Sequence, residues 1–434
     1  MNGPHATVIR SPTPDALAPD ARLPAQRRAD RRRGEPRPGL SAGTRVVLCN
    51  WRDLRHPEGG GSEFYVEMVA RALAARGAVV TMLSARVAGA PGDEVIHGVH
   101  HRRRGGVHTV YLAAAWQLLT RRVRADVVVD VQNGVPFLSP LVSRRPVVAL
   151  VHHVHREQWP LVFGPVGARL GWFVESRLAP MLYRRSRYLT VSRSTAAELH
   201  DLGVARDRIA IAHNGTAVLP SRALRSPTPR VLVLNRLVPH KRVEMLLEAA
   251  AALRARHPEL RVDVVGRGYW APRLLEDVAR LGLQDLVTLH GHVDEQTKAD
   301  LQAQAWVNAV PSVKEGWGLS VVEAGAHGTP SLAFANAGGV AEAVRDGVTG
   351  VLVVGGQDEF TAALGALLDD GPRRSRLGNN ARVHALRFGW DATVDAVVAQ
   401  LVEARGGEDG PISGSRTPPR RWWGPFGPSS RRWR

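Results

Sequence analysis

Short apolar runs, separated by polar stretches and by loops rich in glycine and proline, recur along most of the chain. Runs of this kind, bounded by turn residues, are typical of buried strands in a parallel sheet. The predicted strands are residues 45–50, 79–83, 107–112, 127–131, 147–151, 188–191, 209–212, 230–234, 260–265, 287–290, 306–310, 331–334 and 350–354. Helices are predicted between them, among them 64–75, 243–256, 319–326, 369–386 and 391–403. Strands that alternate with helices predict an α/β fold with doubly wound parallel sheets.

Proline and glycine divide the chain into segments. Residues 219–229 contain three prolines and are predicted to link two α/β domains, at 45–218 and 230–388. The stretches 1–44 and 406–434 are rich in Pro and Arg and lack periodicity, so both are predicted to be disordered tails.

Composition limits the class of protein. The chain has 434 residues and 44% hydrophobic residues, enough for two domains with buried cores. Its single cysteine, Cys49, excludes an internal disulfide and fits a reducing compartment. The N-terminus lacks an apolar signal region, and the longest mainly apolar segment, 107–119, is shorter than the ~20 residues that span a bilayer. A cytoplasmic protein is therefore expected.

The net charge of +18 is unevenly distributed. Basic residues exceed acidic ones by 11 in 46–225, whereas acidic residues exceed basic ones by 3 in 226–404. Three interpretations are open: binding to nucleic acid, binding to an anionic membrane surface, or an Arg-rich composition without function. Only three of the 58 basic residues are lysines, which is the observation behind the third.

A membrane surface is favoured by one segment of the basic half. Residues 166–183 combine apolar and basic residues as a helix in the membrane interface does, although Pro180 must break or kink that helix. The alternative is that its apolar residues pack into the core of the first domain. The surrounding basic clusters are Arg102, Arg103, Arg104, Arg121, Arg122, Arg124, Arg144, Arg145, Arg184, Arg185 and Arg187.

The richest stretch for chemistry is 309–330, AVPSVKEGWGLSVVEAGAHGTP. A short strand leads into a glycine loop, and a helix follows. Such a helix N-terminus presents free N–H groups and a positive dipole, and glycines let an anionic group approach the backbone. Glu315 in the loop and Glu323 in the helix, with seven residues between them, are expected to face one pocket. Carboxylates accept hydrogen bonds from hydroxyls, so a phosphorylated, polyhydroxylated ligand is expected.

Other candidates follow predicted strands. His152 lies outside the carboxyl end of the strand 147–151, where ligands of α/β sheets bind. A metal site is the rival interpretation for this histidine, although no neighbouring Cys, His or Glu cluster completes one. Arg236 and Lys241 lie between a strand and a helix, where two cations can neutralise a diphosphate.

The segment EGWGLSVVEAGAHGTP resembles the E-x7-E signature of the retaining glycosyltransferases of family 4, which have the GT-B fold. The resemblance implies that Glu315 contacts the donor sugar and Glu323 the nucleotide ribose. It also implies donor contacts from Gly316, Trp317, Gly318 and Leu319, with Trp317 standing where the family often has Phe.

Further motifs extend the resemblance over most of the chain. Gly60 and Gly61 resemble the first-domain loop near the acceptor and the donor phosphate, and His152 matches a histidine that contacts the donor. The segment that begins at Asn235 resembles the family's GRL-x-x-x-K step, with Asn235 in place of Gly. The loops at Gly266 and His292 resemble those that flank the nucleotide.

The resemblance implies two Rossmann-like domains facing a cleft, an acceptor site in the first and a nucleotide-sugar site in the second. It also implies that helix 389–405 crosses back to the first domain. The expected reaction is transfer of a sugar from a nucleotide-sugar to a hydroxyl of a glycan or lipid-linked acceptor, with retention. No cofactor and no metal are expected, because the sequence has no Asp-x-Asp. The alternatives are a GT-B nucleotide-sugar epimerase and a basic nucleic-acid-binding protein, although no specific nucleic-acid motif is present.

Overall fold

Two sheets organise the described part of the chain, which in this computed structural model comprises residues 39–57, 59–216 and 219–406. The strands of the first sheet are β1 (Arg45–Cys49), β2 (Val79–Ser84), β3 (Asp93–Ile96), β4 (Val99–Arg103), β5 (Val127–Gln132), β6 (Val147–Val151), β7 (Arg187–Thr190) and β8 (Ile209–Ile211). Their order in the sheet is β3-β4-β2-β1-β5-β6-β7-β8, and all neighbours are parallel except the antiparallel pair β3–β4. This sheet and its helices form the first domain.

The strands of the second sheet are β9 (Arg230–Leu234), β10 (Arg261–Val265), β11 (Val287–Gly291), β12 (Val307–Val310), β13 (Ser331–Phe334) and β14 (Gly350–Val353). Their order in the sheet is β11-β10-β9-β12-β13-β14, and all of these strands are parallel. This sheet and its helices form the second domain. The expectation of two doubly wound α/β domains is confirmed.

Helices fill the connections between these strands. In the first domain they are α1 (Gly61–Ala75), α2 (Val110–Leu119), α3 (Ser139–Val142), α4 (Trp159–Val162), α5 (Pro165–Phe173), α6 (Ala179–Leu182) and α7 (Arg193–Asp201). The others are α8 (Val243–Leu253), α9 (Ala271–Arg280), α10 (Glu295–Gln304), α11 (Leu319–Ala326), α12 (Val340–Ala343), α13 (Gln357–Asp369), α14 (Gly371–Ala385) and α15 (Trp390–Ala404).

The strand order decides where a ligand site can form. In the first sheet β1 pairs with both β2 and β5, and in the second β9 pairs with both β10 and β12. At such reversal points the connecting helices leave to opposite faces, which opens a crevice at the carboxyl ends of the strands. The loops after β1, β9 and β12 therefore border the crevices, and these loops carry many of the candidate residues.

Apolar burial explains the strand positions. All residues of β5, β6, β12 and β13 are buried, because helices cover both faces of each sheet. A core on one face of the first sheet includes Val46, Leu48 and Val129, and the other face buries Val47, Cys49 and Val128. The alternation within β1 thus follows the pleat of the strand.

The last helix belongs in space to the first domain. Helix α15 packs against α1, β6, β7 and β8. The Thr393 hydroxyl donates to the carbonyl oxygen of His213 at 2.7 Å, and Arg76 pairs with Asp395 at 2.7 Å. The chain therefore passes between the domains a second time just before this helix.

The predicted strand 107–112 is wrong, because α2 begins at Val110. The apolar run there continues through Leu119 and is rich in Ala and Leu, which favour a helix. The β3–β4 pair was not predicted, because its polar and charged residues lack the apolar run used to recognise the other strands.

The predicted tail 1–44 extends too far. Gly43 N–H donates to the carbonyl oxygen of Gly77 at 2.8 Å, and Leu40 packs against the core, so residues 39–44 adjoin the first domain. The remaining parts of the predicted tails, 1–38 and 407–434, lie outside the described residues. Residues 219–229, the predicted linker, contain no helix or strand.

The amphipathic segment is helical from Pro165 to Leu182, with a π-helical turn at Val174–Leu178 that ends two residues before Pro180. Such a turn lets the helix continue although Pro180 has no N–H to donate. Together with the end of α4, the outward side of this segment forms what we call the α4–α6 face. This face consists of Val162, Phe163, Val166, Leu170, Phe173 and Met181, all at least 51% exposed. Trp172 and Leu182 of the same segment pack against the core of the first domain, so the alternative interpretation holds for part of the segment.

Basic side chains surround the α4–α6 face, although not all of those predicted. Arg156, Arg169, Arg177, Arg184 and Arg185 are exposed. Several arginines of the predicted clusters are instead engaged with carboxylates of the first domain or of α15. Arg103 is buried against Asp53 and Glu94, Arg102 and Arg104 pair with Asp93, and Arg187 pairs with Glu403.

Across the described ranges, no helix combines the length and the apolar character needed to cross a membrane.

Candidate active site

The loop between β12 and α11 forms the centre of the candidate site. Its backbone is fixed by the neighbouring loop, because Glu315 N–H donates to Ala337 at 3.0 Å and Gly339 N–H donates to Glu315 at 2.9 Å. Gly318, with φ of 88°, adopts the left-handed conformation that directs the chain into α11 at Leu319. The carboxylate of Glu315 and the N-terminus of α11 thus lie in one fixed loop.

Glu315 forms a buried ion pair with Lys241. The Nζ atom of Lys241 lies 2.5 Å from Oε1 of Glu315, and the Ser312 hydroxyl donates to the same oxygen at 2.8 Å. Burial acts to raise the pKa of Glu315, but the Lys241 ammonium outweighs burial and lowers it below the ordinary value. The carboxylate is therefore ionised at neutral pH.

His152 follows β6 and is buried, with its ring centroid 5.2 Å from that of Tyr65. Burial lowers the pKa of His152 to about 4, although the nearby Glu63 carboxylate opposes this change. The ring is neutral at pH 7. Its Nε2 atom is buried and has no hydrogen-bond partner among the described residues.

The two domains touch at Gly316. A Cβ atom added to Gly316 would stand 2.5 Å from the carbonyl oxygen of His152, closer than any side chain permits. Glycine at this position therefore lets the Glu315 loop of the second domain lie directly against the end of β6 in the first.

A second contact joins the glycine loop of the first domain to Arg236. A Cβ atom on Gly60 would lie 3.3 Å from Cδ of Arg236, and one on Gly61 would lie 4.0 Å from the Leu319 side chain. The Glu63 carboxylate accepts hydrogen bonds from Gly60 N–H at 2.7 Å and from Arg52 at 2.9 Å, which fixes the loop.

Arg236 also contributes to the electrostatics of the loop. Burial acts to raise the pKa of Glu63, but Arg52 and, more weakly, Arg236 outweigh it and hold that pKa below its ordinary value. The structure thus brings Gly60, Gly61 and Arg236 together at one contact and places Leu319 beside them.

Glu323 has a different set of partners from Glu315. Its carboxylate accepts hydrogen bonds from Lys298 at 3.1 Å and from Gln302 at 3.4 Å, both on α10. It lines a small cavity together with Thr216, Leu219, Glu295, Lys298, Ala299, Gln302 and His327. The expectation that the two glutamates face one pocket stays a prediction.

Gly266, His292 and Trp317, the remaining predicted donor contacts, have neighbours other than the Lys241–Glu315 pair. A Cβ on Gly266 would lie 1.8 Å from the carbonyl oxygen of Asn235, so close backbone packing requires this glycine. His292 is exposed at the end of β11. The buried Trp317 indole packs 4.3 Å from the ring of His213 and 4.9 Å from Phe388, at the two chain crossings between the domains. Their roles toward a donor stay predictions.

The sequence interpretation missed the carboxylates around this site. Glu157, Glu198 and Glu342 each bind a group of the opposite domain, as described below. Lys314 binds two of these carboxylates. It is one of only three lysines in the chain and directly precedes Glu315, and this could have marked it as a candidate site residue. Nothing in the pattern of a single sequence pairs it with residues more than a hundred positions away.

A metal ion is the rival interpretation of the histidines. In the parts of the chain that the structure describes, no group of three or more His, Cys, Asp or Glu side chains is arranged to hold one. His153 instead lies 3.2 Å from Oε1 of Gln158, and His155 pairs with Glu175 at 2.8 Å.

Two family models match the chain. The model described as Glycosyltransferase Family 4 matches residues 59–218, and that described as Glycosyl transferases group 1 matches residues 219–384. The two ranges adjoin, and they contain all the residues of the candidate site.

Curated relatives match part of the chain. D-inositol 3-phosphate glycosyltransferase 2 of Catenulispora acidiphila is 42% identical over 176 residues, covering 38% of this chain and 41% of the relative. D-inositol 3-phosphate glycosyltransferase of Nocardia farcinica is 36% identical over 252 residues, covering 52% and 56%. The chain thus spans about half the length of the curated relatives it matches.

Solved structures share the fold. Sucrose-phosphate synthase of Thermosynechococcus elongatus aligns with a TM-score of 0.72 at 21% identity, over 84% of this chain and 99% of that one. Anabaena HepE, solved with UDP-glucose, aligns with a TM-score of 0.64 at 19% identity, over 83% and 99%. WaaG, involved in lipopolysaccharide biosynthesis, aligns with a TM-score of 0.64 at 18% identity, over 82% and 99%.

Proposed function

Given that this chain belongs to glycosyltransferase family 4, we propose that it transfers a sugar from a nucleotide-sugar donor to a hydroxyl group of an acceptor. The observation that carries the proposal is the buried Lys241–Glu315 pair, because the loop that holds Glu315 lies against His152 of the other domain. A carboxylate that binds hydroxyls beside cations that bind phosphate suits a sugar diphosphate.

The cations of the second domain act on the leaving group. As the bond from the anomeric carbon to the diphosphate breaks, negative charge grows on the diphosphate oxygen. Arg236, Lys241 and the N-terminus of α11 stabilise that charge, and preorganised stabilisation of this kind is usually the largest catalytic contribution. Glu315 accepts hydrogen bonds from the donor sugar, and Glu323 binds the ribose.

His152 serves the donor from the first domain. Because its ring is neutral at pH 7, it contributes a hydrogen bond and not a charge. The acceptor enters from the first domain, past Gly60 and Gly61. Closure of the two domains excludes water, which limits hydrolysis of the donor.

Two finer features belong to the same proposal. Retention of the anomeric configuration is proposed from the family alone. Independence of a divalent metal is proposed because protein cations and a helix N-terminus supply the positive charge at the diphosphate. The nucleotide-sugar is a substrate, and no cofactor is proposed.

The acceptor is proposed to be a glycan or a lipid-linked glycan, reached at the cytoplasmic face of a membrane. The α4–α6 face supports this proposal, because exposed apolar side chains adjoin exposed arginines there. This combination suits an anionic lipid surface, where the apolar residues enter the interface and the arginines meet the head groups. The names of the curated relatives point to a second acceptor class, a phosphorylated inositol.

The proposal is tested in two steps. A thermal-shift screen with UDP, GDP, ADP and their sugars identifies the donor, since a ligand at a hundred times its Kd adds ~2.7 kcal/mol of stability. Release of the nucleoside diphosphate is then measured with a lipid-linked glycan, with inositol phosphate and without acceptor, and NMR of the product gives the anomeric configuration.

The alternatives predict different results in the same assays. A nucleotide-sugar epimerase changes the donor without any acceptor, so its product forms in the acceptor-free sample. A nucleic-acid-binding protein shows no turnover and retains nucleic acid that modest salt removes.

A further inference from the structure

Two side chains of the second domain hold one helix of the first. The Lys314 ammonium donates to Glu198 on α7 and to Oε2 of Glu157 at 3.0 Å. The Glu342 carboxylate accepts hydrogen bonds from the backbone N–H groups of Arg193 at 2.9 Å and Ser194 at 2.6 Å, which begin α7. Helix α7 is thus bound at Glu198 and at its N-terminus.

Both side chains lie on segments that are joined to Glu315. Lys314 immediately precedes Glu315, and Glu342 lies on α12, just after Gly339, whose N–H donates to the carbonyl oxygen of Glu315. A displacement of α7 away from the second domain would therefore pull on the loop of Glu315 and on the segment hydrogen-bonded to it.

The Lys314 contact is electrostatic, with a buried ammonium and two partly exposed carboxylates. The Lys314 side chain is only 7% exposed and lies between two carboxylates. Without its ammonium, Glu157 and Glu198 would face one another unneutralised, which favours separation of the domains.

The Glu342 contact uses the end of a helix. The first N–H groups of α7 have no partner within the helix, and Ser192 already caps Thr195 N–H at 3.1 Å. Glu342 satisfies the two preceding N–H groups and complements the helix dipole. Two contacts of different chemistry therefore act on the same helix.

We propose that Lys314 and Glu342 are positioning residues that clamp α7 and hold the domains in the closed arrangement. In that arrangement Gly316 lies against His152, and the Glu315 loop meets the first domain. The effect of these two residues on catalysis rests on the proposed transfer reaction, whereas their effect on the domain arrangement does not.

The distance between the two domains is measured with a pair of spin labels. Leu141→Cys and Leu275→Cys place labels on exposed positions of the first and second domains, while Cys49 is buried and stays unlabelled. Pulsed dipolar spectroscopy on the full chain gives one narrow distance for this parent. Lys314→Met and Glu342→Ala are expected to add a longer distance, and Lys314→Arg and Glu342→Gln to restore the narrow one.

The matched control is Arg254→Met, which breaks a surface ion pair with Asp285 inside the second domain. It is expected to leave the distance unchanged. A parent-like distribution in both Lys314→Met and Glu342→Ala would overturn the clamp. The second variant guards against a folding defect at Lys314.

Steady-state kinetics tests the positioning role separately. With the donor that supports wild-type turnover, Lys314→Met is expected to lower kcat by about tenfold or more, with rescue by Lys314→Arg. An unchanged kcat alongside a broadened distance would overturn positioning. If the wild-type chain turns over no donor, the proposed function fails, and the distance result still decides the clamp.

Discussion

The Lys241 ammonium and the Glu315 carboxylate lie 2.5 Å apart, with side chains only 10% and 14% exposed. Removing one partner of such a pair leaves a buried charge, whereas removing both can be nearly neutral. This asymmetry allows the contribution of the pair to stability to be separated from its contribution to catalysis.

Glu315→Gln is expected to remain folded and to lose at least about 100-fold in turnover, because a charge that orients the donor is removed. Lys241→Ala is expected to lose turnover similarly and also about 3–5 kcal/mol of stability. The double variant Lys241→Met with Glu315→Gln is expected to be more stable than Lys241→Ala but to remain inactive. Circular dichroism, urea unfolding and initial rates make the comparison, and near-wild-type turnover in both single variants would refute the site assignment.

Gly316→Ala is expected to weaken the contact between the domains, because the new Cβ would meet the carbonyl oxygen of His152 at 2.5 Å. The expected result is a large fall in kcat, with binding of the nucleotide to the second domain retained. Isothermal titration and steady-state kinetics measure the two effects. Gly371→Ala, where the nearest atom to a new Cβ is 3.7 Å away, is the control. Equal kcat values for the two variants would contradict the contact.

Transfer activity is expected to survive EDTA, because Arg236, Lys241 and the N-terminus of α11 supply the positive charge at the diphosphate. The measurement is the initial rate in metal-free buffer with and without chelator. A loss of rate that Mg²⁺ or Mn²⁺ restores would show that a metal ion is needed.

Binding to vesicles is expected to require the α4–α6 face. Leu170→Asp with Phe173→Asp should abolish co-sedimentation with anionic vesicles at low salt, because both side chains are more than half exposed on that face. Arg184→Gln with Arg185→Gln should weaken it by roughly 30-fold, at ~1 kcal/mol for each charge.

Val383→Asp, at an exposed apolar residue of α14, is the matched control and should bind like the wild type. Neutral vesicles and high salt complete the comparison. If the wild-type chain fails to bind anionic vesicles at low salt, membrane attachment through this face is wrong.

Stability is expected to fall as the pH drops from about 6.5 to about 4. Burial lowers the pKa of His152 and of His240 to about 4, so in this range the unfolded chain binds protons that the folded chain does not. The free energy of unfolding then rises with pH, by about 1.4 kcal/mol per pH unit for each such histidine.

Urea unfolding at several pH values between 4 and 6.5 measures this slope. His240→Gln should reduce it, since one proton fewer is taken up on unfolding. Arg254→Met, which removes no group that titrates in this range, should not change it. An unchanged slope in His240→Gln would show that this histidine binds protons equally in the folded and unfolded chains, contrary to a lowered pKa.

The sequence by itself determined the fold class and most strands of both sheets, because buried parallel strands require continuous apolar runs that are visible without a structure. It also located the loop of Glu315 and the basic step at Arg236 and Lys241, because a glycine loop before a helix is a local feature. It failed where the pattern was ambiguous. The apolar run at Val110 belongs to a helix, and the polar β3–β4 pair has no apolar run.

The tertiary structure decided which distant residues meet. The pairing of Lys241 with Glu315, the approach of Gly316 to His152 and the contacts of Lys314 and Glu342 with α7 all join segments far apart in the chain. It also decided that the α4–α6 face points outward. Hydrophobic periodicity records whether a residue is buried, but it carries no information about which charge neutralises which, because that depends on how two separately folded sheets dock.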